Sequence, residues 1–486
     1  MKAYKTLLFI LFTITLLALL CVVFPKEGIA FGERRLFFPT LEEIMVREKG
    51  QSAAEKLQAM EESFRMQVYQ DSLANAELMA FNDSLQFYVR FFENHPARIH
   101  LPENDLTFLN SLFYNLDNCK EKKEILHILH YGDSQIEGDR ISGFIRQQLQ
   151  EKFGGNGPGL LPIVQPIPSA AVGQTASENI NRYTVAGNHI NRASHNRYGV
   201  LGQVAEIYGN ASISVIARNW SNTFENVKQF SKIRLFVNNN AQDFKATLTV
   251  SGKEPQIRTI EEGDTGSNIL VWDMKEPIKR FTLNLSGRAE ITGISVDGDH
   301  GVAVDNIPLR GSSGTFFTGI DANSLVPVLK ELNVRLILLE FGGNMMPVIK
   351  GEKNVSAYKE NMAKQIVYFR QIYPDAKLLL IGPADMSTKV NGRLQSYPYL
   401  KETIQGMREA ALENGAAFWD MYEVMGGENS MIDWVNNKPA LAAPDYVHFT
   451  PRGANRIAEL FCESLMMYYD YYTFMNNSTI SNSEIE

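Results

Sequence analysis

Ile125-Leu126-His127-Ile128-Leu129-His130-Tyr131-Gly132-Asp133-Ser134-Gln135 is the stretch on which the fold class turns. A short apolar run ends in a glycine-bearing turn. An amphipathic segment, Ile141 to Phe153, follows and closes at Gly154-Gly155. That is strand, turn, helix. The rhythm returns downstream. Val334 to Phe341 precedes a helix from about Ser356 to Tyr373, and Leu378 to Ile381 precedes one from about Tyr397 to Asn414. Ala416 to Met421 precedes a last helix, about Pro451 to Tyr469. Fully apolar strands alternating with amphipathic helices predict an α/β fold, a parallel sheet covered on both faces. Ser134 then stands just past the carboxyl end of a strand, where open α/β sheets place ligands.

Outward from these segments the pattern changes. Between about 170 and 300 polar and apolar residues alternate, as in Ser212-Ile213-Ser214-Val215-Ile216, Lys232 to Val237, Lys245 to Val250, Phe281 to Leu285 and Ile291 to Val296. Asn238-Asn239-Asn240 and Ser251-Gly252-Lys253 are turn clusters. Short strands at about ten-residue spacing predict an all-β sandwich, inserted into the α/β domain. Leu41 to Phe92 carries helical spacing, as a membrane-proximal stalk or a helical packing segment would, and His95-Pro96 breaks it. The expected division is therefore a signal-anchor or signal peptide (1–31), a helical stalk (32–97) and the first part of the α/β domain (98–168). The inserted sandwich (169–303), the second part of the α/β domain (304–475) and a disordered tail (476–486) follow.

Composition narrows the function classes. The chain has 486 residues, 44% hydrophobic and 21% charged, which suits folded domains and excludes wholesale disorder. Its net charge of −8, with no concentrated basic stretch, argues against nucleic acid as a partner. Cys21, Cys119 and Cys462 cannot build a disulfide framework. Lys2 and Lys5 precede a charge-free run, Leu7 to Phe24, of near-spanning length. The positive start places the N-terminus in the cytoplasm and the bulk outside. A retained anchor fits best. Cleavage after Gly28-Ile29-Ala30 and lipidation at Cys21 are the rival outcomes, and all three send the remainder across the membrane.

Four places carry chemistry. The first is the turn at Ser134, an exposed hydroxyl whose own N–H faces the same crevice. The second is Ala443-Pro444-Asp445-Tyr446-Val447-His448-Phe449-Thr450-Pro451, where Thr450 caps a helix and Pro451 opens it. Asp445, three residues before His448, is placed to fix the imidazole tautomer and to stabilise its cation. The third is Phe341-Gly342-Gly343-Asn344, in which glycines admit a close approach and Asn344 offers an amide donor to a developing oxyanion. The fourth is Arg310-Gly311-Ser312-Ser313-Gly314, in which Gly311 or Gly314 offers an unhindered N–H.

The order Ser, Gly, Asn, Asp-x-x-His resembles the SGNH (GDSL-like) hydrolase superfamily over 125–160 and 305–470. The resemblance implies Ser134 as nucleophile, Gly311 and Asn344 as oxyanion donors, and Asp445 with His448 as its activating pair. Gln135 replaces the usual Leu, a change expected not to touch the chemistry, and Met345 replaces a common acidic residue. Gly132-Asp133-Ser134-Gln135 with Gly138-Asp139, then Phe153-Gly154-Gly155-Asn156-Gly157-Pro158-Gly159, looks more narrowly like bacterial cell-surface esterases of the peptidoglycan O-acetylesterase type. In that group a sandwich resembling a carbohydrate-binding module interrupts the catalytic domain. The resemblance implies a periplasmic or cell-surface enzyme anchored by residues 7–24. Its substrate would be acylated polysaccharide or peptidoglycan, and a membrane acyltransferase a candidate partner. An O-acyltransferase, or a non-catalytic polysaccharide-binding protein on the same scaffold, is the alternative.

Other features are set aside. His127 and His130 fall on opposite strand faces and cannot chelate one metal. Asp297-Gly298-Asp299-His300-Gly301 with Asp305 lacks the ligand spacing of a calcium loop. No P-loop or dinucleotide fingerprint appears, so no cofactor or metal is expected. Trp220 and Trp272 read equally as sugar-stacking or core residues.

Overall fold

The computed structural model describes residues 3–483 except 26–27, 32–33, 37, 40–51, 74–80, 187–190, 221–222, 239–242 and 264–265. A six-stranded sheet carries the turn at Ser134. In sheet order its strands are Gly301–Pro308, Ile125–Gly132, Val334–Glu340, Lys377–Ile381, Ala417–Trp419 and Ile99–His100. The first five are parallel, and the short Ile99–His100 strand runs antiparallel at the edge. Numbered along the chain, the parallel strands lie in the order 2-1-3-4-5. The connections therefore diverge between Ile125–Gly132 and Val334–Glu340, which opens a crevice beyond their carboxyl ends. Ser134 follows one of these two strands and Asn344 the other.

The strands are apolar throughout because both faces are covered. Leu126, Ile128, Leu336, Leu338, Leu379 and Ile381 face a core shared with helices Arg140–Phe153 and Pro451–Ser483. Their alternates Leu129, Tyr131, Ile337, Leu339, Leu378 and Leu380 face a second core, shared with Ala322–Glu331, Glu352–Ile372 and Leu400–Glu413. Each fully buried side chain of this size contributes about 1.5–3 kcal/mol over its exposed state.

The β-rich insertion lies in the crossover between the first two parallel strands. Its nine strands, from Gly159–Leu161 to Arg280–Asp297, form one continuous sheet rather than two separate ones. The 18-residue Arg280–Asp297 strand belongs to both layers. Its first half pairs with Gln203–Ala217 and Phe244–Thr249, its second with Phe230–Asn238 and Gly159–Leu161. The register shifts between Ile291 and Gly293, and such a bulge bends the strand from one layer into the other. Ile213 and Leu283 from one layer share a core with Leu235 and Trp272 from the other. Trp272 is thus a core residue. Trp220 is half-exposed, with the Arg218 guanidinium 3.7 Å from its ring centroid.

A buried polar network joins insertion and parallel sheet. Arg234 Nη2 donates to Asp297 Oδ2 (2.8 Å) and to His127 Nε2 (2.9 Å). His127 Nδ1 is 2.8 Å from Asp305 Oδ2, and Asp305 Oδ1 accepts the Leu160 N–H at 2.7 Å. Asp297 Oδ2 and both Asp305 oxygens are thus taken up by this network.

Two expected segments differ. The helices Ala53–Leu73 and Phe81–Asn94 do not stand free as a stalk. Leu57 and Phe91 enter the first core, Glu61 pairs with Arg456, and the Tyr88 and Phe92 rings meet Tyr471 of the last helix. The remainder of that expected segment, 41–51 and 74–80, lies outside the described residues. The last helix runs to Ser483, so 476–483 extend it where a disordered tail was expected. Extending a helix already docked costs far less than nucleating one. At the other end Ala3–Val23 is helical, and Tyr4–Val23 is long and apolar enough to cross a membrane.

Candidate active site

Asp133 ends the turn after Ile125–Gly132 and caps the short 3-10 segment that begins at Ser134, accepting the Gln135 N–H at 3.0 Å. This local closure turns the Ser134 hydroxyl out of the sheet. Across the crevice, Asp445 makes the matching turn: its Oδ1 accepts the N–H groups of Val447 and His448, both at 3.0 Å. Its Oδ2 lies 2.8 Å from His448 Nδ1. An ionised carboxylate can only accept, so the ring proton is on Nδ1 and the Nε2 lone pair is free. Nε2 lies 2.8 Å from Ser134 Oγ. The chain of contacts Ser134–His448–Asp445 is continuous, and it joins groups more than 300 residues apart in sequence. Burial raises the Asp445 carboxyl, but the hydrogen bonds from His448 and Val447 outweigh it and hold the group below its ordinary value.

Asn344 opens the turn after Val334–Glu340. Gly342 makes that turn with φ 120°, and a Cβ there would lie 2.9 Å from Pro383. Asn344 Nδ2 donates to Asp133 Oδ2 (2.8 Å) and to the Ser312 carbonyl (3.1 Å). An oxyanion arriving there would compete with that neutral carbonyl, since charge-assisted hydrogen bonds are about twice as strong as neutral ones. Asp133 is buried, and that burial pushes its pKa up to about 7. The two glycine candidates separate. The Gly314 N–H donates to Ser312 Oγ at 3.1 Å, and a Cβ there would strike the Phe341 ring. Gly311 has φ 73°, and its N–H has no hydrogen-bond partner in the protein among the described residues.

Two further residues hold the site together. Gln135, expected to stand apart from the chemistry, donates Nε2–H to the Val447 carbonyl (2.6 Å) and accepts the Phe449 N–H (3.3 Å). It grips the His448 loop on both sides. Arg140 donates to the Ser134 carbonyl and, at 3.4 Å, to the Phe449 carbonyl. The signal for Gln135 was its place beside the serine; its partners lie in a loop that only the fold brings near. The cleft itself holds about 190 Å³ and is walled by Pro347, Pro383, Met386, Tyr397 and Val447. Among the described residues no cluster of acidic, histidine or cysteine side chains could hold a metal ion.

Residues 294–456 match the model of the GDSL-like lipase/acylhydrolase family. This is a GDSL-like hydrolase domain. The matched segment holds Gly311, Asn344, Asp445 and His448. Ser134 lies outside it because the insertion separates the first strand from the rest of the hydrolase domain. That family description is of lipases and acylhydrolases, and the match is to this segment of the chain. A solved structure described as "Peptidoglycan O-acetylesterase in action" aligns with a TM-score of 0.59 and 23% identity, covering 75% of this chain and 96% of that one. That likeness shows a shared fold over the aligned three quarters of the chain. A family two carbohydrate esterase from Cellvibrio japonicus aligns at 10% identity over 62% of this chain and 99% of its own, with a TM-score of only 0.24. No curated protein matches the chain.

Proposed function

We propose that the chain is an extracytoplasmic esterase that removes O-acetyl groups from a cell-wall or envelope polysaccharide. The observation that carries this reading is the unbroken contact Ser134 Oγ–His448 Nε2 and His448 Nδ1–Asp445 Oδ2, both 2.8 Å, at the mouth of a cleft. The cleft volume, about 190 Å³, is below the roughly 300–1,000 Å³ of sites for drug-sized ligands, which suits a short acyl group. The peptidoglycan O-acetylesterase of shared fold supports the glycan class, and the apolar helix at Tyr4–Val23 supports a membrane anchor.

The geometry supports the following roles. His448 Nε2 takes the Ser134 proton as Oγ attacks the ester carbonyl carbon. The oxyanion formed is held by the N–H groups of Ser134 and Gly311 and by the Asn344 amide. His448 then gives the proton to the sugar oxygen, which leaves. Water attacks the acyl-enzyme by the same route and releases acetate. Acetate release from O-acetylated peptidoglycan by the full chain tests the reading. Release is expected at a rate well above that for a butyryl or longer ester. Equal rates on long-chain esters, or transfer of acetyl to a second glycan with no free acetate, would overturn it.

A further inference from the structure

A cavity of about 450 Å³ lies where the insertion meets the hydrolase domain. Gly311 is on its wall, so the cavity adjoins the catalytic turn. Five ionisable side chains line it: Glu137, Asp139, Arg146 and Arg310 from the hydrolase domain, and Arg182 from the insertion. Four of them are matched. Arg310 clasps Glu137 with two hydrogen bonds, 2.7 and 2.6 Å, and Arg146 clasps Asp139 at 2.7 and 2.9 Å. Arg182 is the fifth. Among the described residues it makes no ion pair, and its hydrogen-bond partner is a neutral one, Gln203 Oε1, which receives Nε–H at 2.6 Å. That bond fixes the guanidinium plane without neutralising it. Three cations and two anions leave the wall with one positive charge, and that charge is Arg182's.

Arg182 is half-buried without a counter-charge, and that burial lowers its guanidinium from the ordinary value. The two Nη groups remain as a planar fork, the shape that grips a carboxylate bidentately. A single excess charge flanked by Glu137 and Asp139 matches a monoanion better than a phosphate dianion.

We propose that Arg182 forms a subsite for a carboxylate of the glycan, beside the sugar whose ester is cleaved, so that the enzyme prefers acidic over neutral acetylated polysaccharide. This rests on the esterase reading above and names the substrate class of that same site. The insertion then contributes specificity directly, with one side chain in the substrate path.

The test uses the full chain in detergent and a matched pair of sugars: O-acetylated N-acetylmuramic acid, and the same sugar with its carboxylate converted to the amide. Wild type should prefer the acid in kcat/KM by about tenfold or more, the range for a hydrogen bond to a charged group, and through KM rather than kcat. Arg182→Gln should abolish the preference, and Arg182→Lys should keep part of it. The ratio between the two sugars does not depend on how much of a variant is folded. Equal values for the pair in wild type, no cleavage of either sugar, or a preference that survives Arg182→Gln would overturn the subsite. Failure of wild type to hydrolyse even p-nitrophenyl acetate would overturn the esterase reading instead.

Discussion

Two histidine–aspartate contacts in this molecule have the same length and different surroundings. His127 Nδ1–Asp305 Oδ2 and His448 Nδ1–Asp445 Oδ2 are both 2.8 Å. The first pair is fully buried, and its second ring nitrogen accepts a hydrogen bond from Arg234. The second pair is partly open to water, His448 being 35% exposed, and its second nitrogen faces a serine hydroxyl in a cleft. A carboxylate orients an imidazole in both. In our proposal, what separates a structural lock from a proton carrier is what the other nitrogen meets: a guanidinium, or a hydroxyl whose proton can be taken.

The same substitution at the two aspartates, with opposite expected effects, breaks the comparison most severely. Asp445→Asn should lower kcat by about 10⁴ through the wrong tautomer, while the unfolding midpoint of this exposed position stays near wild type. Asp305→Asn should do the reverse. Removing one partner from a buried network costs about 3–5 kcal/mol of stability, with kcat per folded molecule retained. Paired denaturant and kinetic measurements check both. If Asp305→Asn slows turnover while Asp445→Asn unfolds the chain, the two contacts have been assigned the wrong work. Asn344→Ala sharpens the picture at smaller scale. It should cost about 10²–10³ in kcat, and a variant with near-wild-type kcat would remove Asn344 from the oxyanion site.

Much of this organisation was legible in the sequence because it is local. A strand, a turn and a capped helix write their own signals, and both Asp133-Ser134 and Asp445 to His448 sit in such turns. The alternation between 212 and 296 likewise announced strands, and the nine-stranded insertion contains them. Legibility ended where partners come from distant segments. Gln135 looked incidental until its amide was found bridging the residues on either side of His448. Gly311 and Gly314 read alike until Ser312 Oγ was found to occupy the Gly314 N–H. The helices before residue 95 read as a stalk or a packing segment because their apolar stripe names no partner, and the fold packs them against the last helix. Arg182 gave no signal at all, since an arginine in an alternating strand is ordinary and only the cavity shows that, among the described residues, no carboxylate pairs with it.

The central claim is that Ser134 is the nucleophile of an acyl-enzyme. The most direct measurement follows p-nitrophenyl acetate hydrolysis by wild type and Ser134→Ala side by side, with intact-mass analysis of samples quenched during turnover. The account predicts turnover and an acetyl adduct on Ser134 in wild type, and neither in the variant. Turnover by Ser134→Ala at the wild-type rate would contradict it.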